Sequence, residues 1–509
     1  AQVGLVITGK GPDYPYRATA EDLVRHILIA GPTGFGKTFL GLWLTIQLHD
    51  CGVRVHWFDT EGEVGPVVLG SCGCGPRPPL LVPYKYFRRN VFRGPEGVEQ
   101  KDYITRFTSL LRETDFCRDG SINLLRSVCH RLLERNPYFS LGDVFDDLQR
   151  MRFRMRGRES EYWTTLSNRL SQKIQYLGDV YDVPAGHDVA ALLDQSVVWD
   201  LHGLSVDGLA FFLGDLLLWT SAYRQIHYAP TLLNAFFIDE LTRICNLESA
   251  SRADLGEPFF YDQIRTLRKR GVGVIGATQT PHLLPKAVLS NLDSWIIFRP
   301  GDGPFRRLIS DSLALNLDQQ QALARLGEEG DRRVIVRSAS QAEPFLVQVP
   351  DIAFPLATEE GIAQHLQRSR AFLDSIREKV ERVVEPDLFD AAREPVEPKK
   401  REHPEQHRLS KDEIDYIELI AKTPFLAVTK RDEQAGIAAG KGSNMRKNLD
   451  AEGYIRQHVL KTGGEGGPWN VLELTDRAYA LLDNLQVTYE RPRGHGSYCH
   501  KFWQHQIYK

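Results

Sequence analysis

The sequence predicts an α/β protein in which an all-α insertion interrupts a largely parallel sheet and a separate small domain follows. Three observations support this. An apolar run at 26–30 leads through a glycine-rich loop into a helical pattern. Residues 85–195 then show helical periodicity, after which short apolar runs typical of buried parallel strands return at 196–201, 235–238, 272–277 and 295–298. A charged, proline-dotted stretch at 383–407 has too little apolar content to pack.

These patterns divide the 509 residues into five predicted segments. Because the insertion splits the sheet, the core consists of two separate segments of the sequence. The segments are the first part of the core at 1–84, the all-α insertion at 85–195, the second part of the core at 196–382, the charged linker at 383–407, and a C-terminal domain with its tail at 408–509.

Composition restricts the nucleic-acid surface, the cellular compartment and the membrane segments that we expect for this chain. A formal net charge of −3 excludes a basic coat, so any surface for nucleic acid must be local. Seven cysteines form neither a disulfide framework nor a full zinc set, which favours a reducing cytoplasm. The most apolar stretch, 209–219, contains Asp215 and is shorter than the ~20 residues that a membrane-spanning helix needs, so we expect no membrane segment. The first residue is Ala rather than Met, which leaves open a trimmed amino terminus.

The glycine-rich loop has the pattern GxxxxGK[ST], between a predicted strand and a predicted helix. Glycines let the backbone curl so that successive N–H groups point at phosphates, and the helix start adds its positive end. Lys37 is expected to reach the β and γ phosphates of ATP, and the Thr38 hydroxyl to hold Mg²⁺. The alternative is an ordinary turn between a strand and a helix. The predicted nucleotide-binding residues are Gly31, Thr33, Gly34, Gly36, Lys37 and Thr38.

A second apolar run, at 233–238, ends in two carboxylates, as a Walker B strand does. Ligands of open α/β sheets collect at the carboxyl ends of strands. Asp239 is expected to hold Mg²⁺, and Glu240 to orient and deprotonate the attacking water. Gln279, after the run at 272–277, could contact the γ phosphate or the water and report its loss. The alternative for Gln279 is a residue that caps a strand end.

Further charged residues lie near predicted strand ends. Glu63 follows the strand after the loop helix and is a candidate for a second acid that positions water; the alternative is a polar turn. Arginines could neutralise charge on the transferring phosphoryl group, including from a neighbouring subunit. Solvated helix-surface arginines are the competing interpretation. The candidates are Arg265, Arg268, Arg270 and Arg299.

The order of these motifs resembles the HerA/FtsK superfamily of ring-forming, DNA-pumping ATPases, closest to its HerA-like and TraG-like conjugation branches. The likeness covers about residues 3–350. It implies a RecA-like P-loop NTPase core that assembles as a homohexamer around DNA, with nucleotide held between subunits. The sequence departs from the family at Phe35, where a small residue is usual. The β-barrel that precedes the core of HerA proteins is absent or cut away here, so the resemblance does not extend to the surface on which those proteins dock a nuclease.

The resemblance also implies roles, residue by residue. Arg268 matches the arginine that faces the adjacent subunit's phosphates, and Arg265 and Arg299 are weaker matches. The remaining matches are Lys37 and Thr38 in Walker A, Asp239 and Glu240 in Walker B, Gln279 as the strand-end glutamine, and Glu63 as the acid of a D-x-x-G-E turn.

The C-terminal segment predicts a winged helix. Helical patterns at 411–421, 428–435 and 443–452 precede extended pieces at 454–460 and 469–474. The third helix would then meet DNA; protein docking is the alternative. Its polar and basic residues are Lys441, Ser443, Asn444, Arg446 and Lys447.

Together the motifs predict an Mg²⁺-dependent ATPase that translocates double-stranded DNA as a cytoplasmic ring. Three alternatives stay open. The first is a conjugative coupling ATPase that hands single-stranded DNA and a relaxase to a membrane pore. The second is an ATP-switched DNA-binding protein of the initiator type. The third is the motor of a defence complex with a separate nuclease.

Overall fold

The computed structural model describes residues 1–7, 13–151, 157–245, 259–326, 332–341, 343–378, 380, 409–437, 439–460, 469–489 and 491. The chain divides into two compact units, Ala1–Arg382 and Val383–Lys509. The predicted linker at 383–407 lies outside the described residues.

Eleven strands of the described residues in the first unit form one sheet. In spatial order, with numbers in chain order, they are β2 (Tyr14–Arg17), β1 (Gln2–Val6), β11 (Phe345–Gln348), β10 (Arg333–Arg337), β9 (Ser294–Ile297), β3 (Ile27–Ala30), β8 (Val272–Thr278), β7 (Asn234–Ile238), β4 (Arg54–Asp59), β6 (Val197–Asp200) and β5 (Leu80–Pro83).

The seven strands from β9 to β5 pair in parallel. Ala30 lies opposite Thr278 and Ile297, and Asp59 lies opposite Asp200. The carboxyl ends of these strands therefore meet along one side of the sheet, called here the carboxyl edge; the opposite side is the amino edge. The other strands join as antiparallel partners. The predicted α/β class and split sheet are confirmed.

Helices cover both faces of the sheet, as parallel sheets require. Those of the described residues in this unit are α1 (Ala20–Val24), α2 (Lys37–Asp50), α3 (Val64–Cys72), α4 (Gln100–Thr114), α5 (Asp119–Leu133), α6 (Leu141–Met151), α7 (Arg158–Tyr181), α8 (Val189–Leu193), α9 (Val206–Ile226), α10 (Phe259–Arg268), α11 (Lys286–Leu289), α12 (Gly303–Ser312), α13 (Leu317–Ala324) and α14 (Glu359–Ser375).

One face packs against α2 and α3, where Leu40, Leu44 and Val68 share a core with Phe237 of β7. On the other face, the inserted helices α4 to α8 share one continuous core with α9 and the sheet. The insertion is therefore packed onto the sheet and α9 rather than folded around a core of its own.

Helix α9 is buried on nearly all sides, which explains its apolar composition. Asp215, with no exposed surface, pairs with Arg89 at 3.4 Å. Burial raises the pKa of Asp215 to about 6, against the opposing charge of Arg89. Within the described part of the chain, no helix has both the length and the apolar character to cross a membrane.

The second unit contains α15 (Lys411–Lys422), α16 (Val428–Gln434), α17 (Ala439–Ala451), α18 (Asp476–Asn484) and an antiparallel pair, β12 (Ile455–Leu460) with β13 (Trp469–Leu474). Its core includes Ile417, Leu449 and Leu472. The predicted third helix thus begins four residues earlier than expected. The segment between β12 and β13 and most of the tail lie outside the described residues.

Candidate functional site

The loop after β3 is an open, curled backbone. Gly34 and Gly36 have φ of +83° and +90°, a region that favours glycine, and no atom lies within 4 Å of where their Cβ atoms would be. Helix α2 begins directly after Gly36. A helix start leaves its first N–H groups without helical partners, so this end is suited to bind an anion.

At Gly31, glycine is required by close packing rather than by a positive φ. Its amide donates to the carbonyl of Thr278 at 3.2 Å. A Cβ on Gly31 would lie only 2.6 Å from Cβ of Phe298, which follows β9. The first glycine therefore lets the loop pass closely between the ends of β8 and β9.

Lys37 is nearly buried, with 7% of its surface exposed. Its Nζ donates to the carbonyl of Pro32, within the loop, at 2.9 Å. Burial lowers the pKa of Lys37, and the nearby carboxylates of Glu240 and Asp239 oppose this shift. Lys37 thus has its charge compensated at the carboxyl edge, with its ammonium turned back onto the loop.

Thr38 and Asp239 meet although they are distant in sequence. The Thr38 hydroxyl donates to Asp239 Oδ2 at 2.8 Å. Burial raises the pKa of Asp239, and the hydrogen bond from Thr38 opposes that shift. Two hard oxygen donors side by side are suited to Mg²⁺ and to the water around it.

Glu240 follows directly and has a strained backbone. Its φ of +65° is rare for a residue with a side chain and costs about 1–3 kcal/mol. Its Oε1 accepts a hydrogen bond from Thr278 Oγ1 at 3.0 Å and another from the hydroxyl of Thr242. The carboxylate is therefore turned toward the end of β8.

Gln279 lies at the carboxyl edge, beside the glycine-rich loop. Its Oε1 accepts a hydrogen bond from Thr33 Oγ1 at 2.7 Å, and its side chain is exposed. The end of β8 thus contacts the loop through the side chain of Gln279 and through the Thr278 carbonyl.

The loop after β4 supplies further carboxylates. Asp59 is 3% exposed and accepts hydrogen bonds from the amides of Gly62 at 2.8 Å and Gly65 at 2.7 Å. It fixes the turn that starts α3, while Glu63 is exposed at the N-cap position, directly before that helix. Glu63 is therefore free to face a ligand, whereas Asp59 is used by the fold.

The arginines divide between the two edges of the sheet. Arg299 follows β9 and is half-buried at the carboxyl edge. Arg268 ends α10, before β8 begins, and pairs with Asp293 at 3.0 Å. Because β8 is seven residues long, about 20 Å separates its two ends. Arg268 therefore lies far from the glycine-rich loop of its own chain.

Arg265 and Arg270 share the amino-edge position of Arg268. Arg265 pairs with Asp262 at 2.7 Å on the same helix. Arg270 donates to the hydroxyl of Ser221 on α9 at 2.9 Å, a contact that ties α9 to the start of β8.

The sequence did not indicate Thr242 and Thr278 as neighbours of Glu240. The only available signal was a hydroxyl residue just before Gln279, at the last position of a strand. Such residues are common, and no sequence spacing pairs them with a carboxylate on another strand.

In the second unit, one predicted DNA-contacting residue has another role. Arg446 pairs with Asp432 at 2.7 Å, with both side chains nearly buried. Tyr416 also donates to Asp432, at 2.7 Å. Asn444 and Lys447 remain exposed on α17, Ser443 is half-buried, and the side chain of Lys441 lies outside the described residues.

Comparisons with known proteins support the fold. No protein-family model matches the chain, and no curated protein matches it at a significant level. Among solved structures, VirB4 of Thermoanaerobacter pseudethanolicus is 13% identical, with a TM-score of 0.53 over 71% of this chain and 97% of that one. The bacterial conjugative coupling protein TrwBdeltaN70 is 17% identical, with a TM-score of 0.50 over 67% of this chain and 88% of that one.

The plasmid coupling protein TrwB in complex with ADP and Mg²⁺ is 16% identical, with a TM-score of 0.50 over 70% of this chain and 94% of that one. At these identities the likeness shows the fold. The predicted resemblance is therefore confirmed at the level of a shared RecA-like P-loop NTPase fold.

Proposed function

We propose that the chain is an ATP-hydrolysing motor that translocates double-stranded DNA as a homohexameric ring. The observation that carries this proposal is the meeting of the glycine-rich loop with two other strand ends. Thr38 bonds Asp239, and Thr33 bonds Gln279, across 201 and 246 residues of sequence. An ordinary turn between a strand and a helix does not require hydrogen bonds to residues so distant in the sequence.

The loop fits the phosphates of ATP. Amides of the curled backbone and the start of α2 would bind them, and Lys37 would leave the Pro32 carbonyl to reach the β and γ phosphates. Thr38 and Asp239 would hold Mg²⁺, which when bound neutralises charge on the phosphate oxygens. The TrwB complex with ADP and Mg²⁺, on a similar fold, supports these ligands.

The residues beyond the loop would act on water and charge. Glu240 would orient and deprotonate the attacking water, and Glu63 is proposed as a second acid that positions it. Gln279, through its bond to Thr33, would report the state of the γ phosphate. Arg299, on the same edge as the loop, would stabilise phosphate charge within one subunit.

Arg268 is proposed to act on the neighbouring subunit's nucleotide, with Arg265 on the same helix in support. The two arginines lie at the amino edge, and the length of β8, about 20 Å, separates that edge from the carboxyl edge where the loop of their own chain lies. A cation so placed can reach a nucleotide only across a subunit interface. This supports a ring in which each protomer completes the next site.

DNA is proposed as the polymer that the ring moves, since phosphate contacts tolerate any sequence. The C-terminal unit, proposed as a winged helix, would load DNA or recruit a partner such as a nuclease. The second candidate function is conjugative coupling of single-stranded DNA with a relaxase partner. The similarity in fold to TrwB, a bacterial conjugative coupling protein, favours this candidate. Cysteines that are free throughout the described residues support a cytoplasmic location.

The deciding experiment measures ATP turnover of the full chain with double-stranded DNA, single-stranded DNA or no DNA, and ATP-dependent displacement of a triplex-forming strand. We expect stimulation by duplex DNA and displacement of the third strand, both abolished by Lys37→Ala. Stimulation by single strands alone would support conjugative coupling instead. ATP-dependent binding without displacement would identify a switch.

A further inference from the structure

We propose that Thr278 and Thr242, called here the threonine pair, hold Glu240 in a waiting position until nucleotide and DNA release it. This inference rests on the proposed function, because it concerns the residue assigned to activate water. It adds a control step at the same site. The threonine pair would act as positioning residues, through Glu240, rather than on the nucleotide.

Both members of the pair donate to the same carboxylate oxygen. Thr278 Oγ1 lies 3.0 Å from Glu240 Oε1, and the Thr242 hydroxyl bonds that oxygen as well. The amide of Thr280 donates to Thr278 Oγ1 at 3.2 Å, so this oxygen acts as an acceptor there and its own hydrogen is left for Glu240. A carboxylate oxygen that accepts two hydrogen bonds has less capacity to accept the proton of a water molecule.

The hydrogen bonds to Glu240 lie partly shielded from solvent. Thr278 has no exposed surface, and Thr242 is half-buried. Hydrogen bonds to a charged group are stronger than neutral ones, more so where water is excluded. Glu240 therefore needs a driving force to leave the threonine pair, and its strained backbone supplies a part of it.

The segment that holds Glu240 is also the segment that contacts the glycine-rich loop. The Thr278 carbonyl accepts from the Gly31 amide at 3.2 Å, and Gln279 accepts from Thr33 at 2.7 Å. Phosphates that bind to the loop amides and to Gln279 would displace these contacts. A shift at the end of β8 would then move Thr278 relative to Glu240, which couples phosphate binding to the release of the carboxylate.

Lys37 makes a comparable resting contact. Its ammonium bonds the Pro32 carbonyl of the same loop rather than pointing into the open cradle. Two groups assigned to the reaction are thus held by the protein's own atoms. Occupation of the loop would weaken both contacts.

The test compares Thr278→Val and Thr242→Val with Thr278→Ser in the full chain. Turnover is measured with and without duplex DNA, and affinity is measured with a fluorescent ADP analogue. We expect each valine variant to raise DNA-free turnover about fivefold and to lower the ratio of DNA-stimulated to DNA-free turnover, because one charged hydrogen bond is lost. ADP affinity should not change, and Thr278→Ser should restore the wild-type ratio.

Turnover in Thr278→Val that falls to the level of Glu240→Gln would overturn the proposal, since the hydroxyl would then support catalysis. An unchanged ratio in both valine variants would overturn it too. Thermal unfolding checks that the variants fold, and Thr242→Val decides if the buried Thr278→Val does not. Failure of the proposed function looks different, because wild type would then show no DNA-stimulated turnover at all.

Discussion

Thr38 donates its hydroxyl to Asp239 at 2.8 Å, which joins the helix after β3 to the end of β7. The two strands are not neighbours, because β8 lies between them. The long insertion does not disturb this contact, since it leaves and re-enters at β5 and β6, the strands at the far end of the sheet. The half of the sheet that carries the glycine-rich loop can therefore form without the insertion having to thread through it.

Substitution of Glu240 should separate binding from hydrolysis. Glu240→Gln keeps the size of the side chain but removes its capacity to take a proton. We expect ATP turnover to fall about 100-fold or more, the usual contribution of a general base, while fluorescent ADP binding stays near wild type. The measurement is steady-state phosphate release together with a binding titration.

Lys37→Ala is the matched comparison, since it removes a phosphate contact and should weaken binding as well as turnover. Wild-type turnover in Glu240→Gln would remove Glu240 from its proposed role. Glu63 would then be the candidate for the residue that activates the attacking water.

Mixing two inactive variants should reveal whether Arg268 acts across subunits. Lys37→Ala and Arg268→Ala should each abolish turnover when pure. In an equimolar mixture that assembles at random, about a quarter of the interfaces combine an intact Lys37 with an intact Arg268 of the neighbour. We expect about a quarter of wild-type turnover to return, measured after subunit exchange.

Arg299→Ala is the control for this experiment, because Arg299 lies on the edge that carries the loop. Mixed with Lys37→Ala, it should restore no activity, since no subunit then has both residues in one chain. Full turnover in pure Arg268→Ala would contradict the trans role.

Much of the fold follows from the sequence because buried parallel strands are short apolar runs. The runs at 235–238 and 272–277 correspond to β7 (Asn234–Ile238) and β8 (Val272–Thr278). The glycine loop also follows from its residue types, since Gly34 and Gly36 adopt the positive φ that the pattern requires. In these cases one local rule suffices.

The contacts that hold the side chains of the candidate site in place could not be predicted from the sequence. The bonds from Thr278 to Glu240 and from Lys37 to Pro32 depend on the order of strands and on the path of the loop, which no local pattern records. Arg446 shows the same limit, because its basic side chain on a predicted recognition helix suggested DNA. Its pairing with Asp432 depends on how α16 and α17 pack.

His26 should make the first unit less stable in acid. It is fully buried, its Nδ1 accepts from the Val274 amide at 2.9 Å, and its Nε2 donates to the Ile264 carbonyl at 2.8 Å, which fixes the neutral ring. Burial lowers the pKa of His26 from 6.5 to about 4. The unfolded chain therefore binds a proton that the folded chain does not, and stability is lost as pH falls from 6.5 to about 4.

This linkage amounts to about 3 kcal/mol over that range. His26→Asn is the test variant, because Asn tolerates the φ of +67° at this position and does not titrate. Denaturant unfolding at several pH values should show the free energies of wild type and variant converging, or crossing, as pH falls through that window. Parallel curves would show that His26 does not titrate in this way.

Two neighbouring residues of α17 should separate stability from DNA binding in the second unit. Arg446→Ala leaves Asp432 nearly buried without its ion-pair partner, although Tyr416 still donates to it. We expect the unfolding free energy of the unit to fall by about 3 kcal/mol. The exposed Lys447 is the proposed phosphate contact, so Lys447→Ala should leave unfolding unchanged and weaken DNA binding.

Binding of a fluorescent duplex to the full chain, measured across salt concentrations, distinguishes the two effects. Loss of one phosphate contact reduces the slope of log K against log salt by about one, whatever the DNA sequence. Asn444→Ala is the matched comparison, since it is exposed on the same helix but carries no charge. An unchanged salt slope in Lys447→Ala would remove this helix from the DNA interface and leave protein docking as the role of the C-terminal unit.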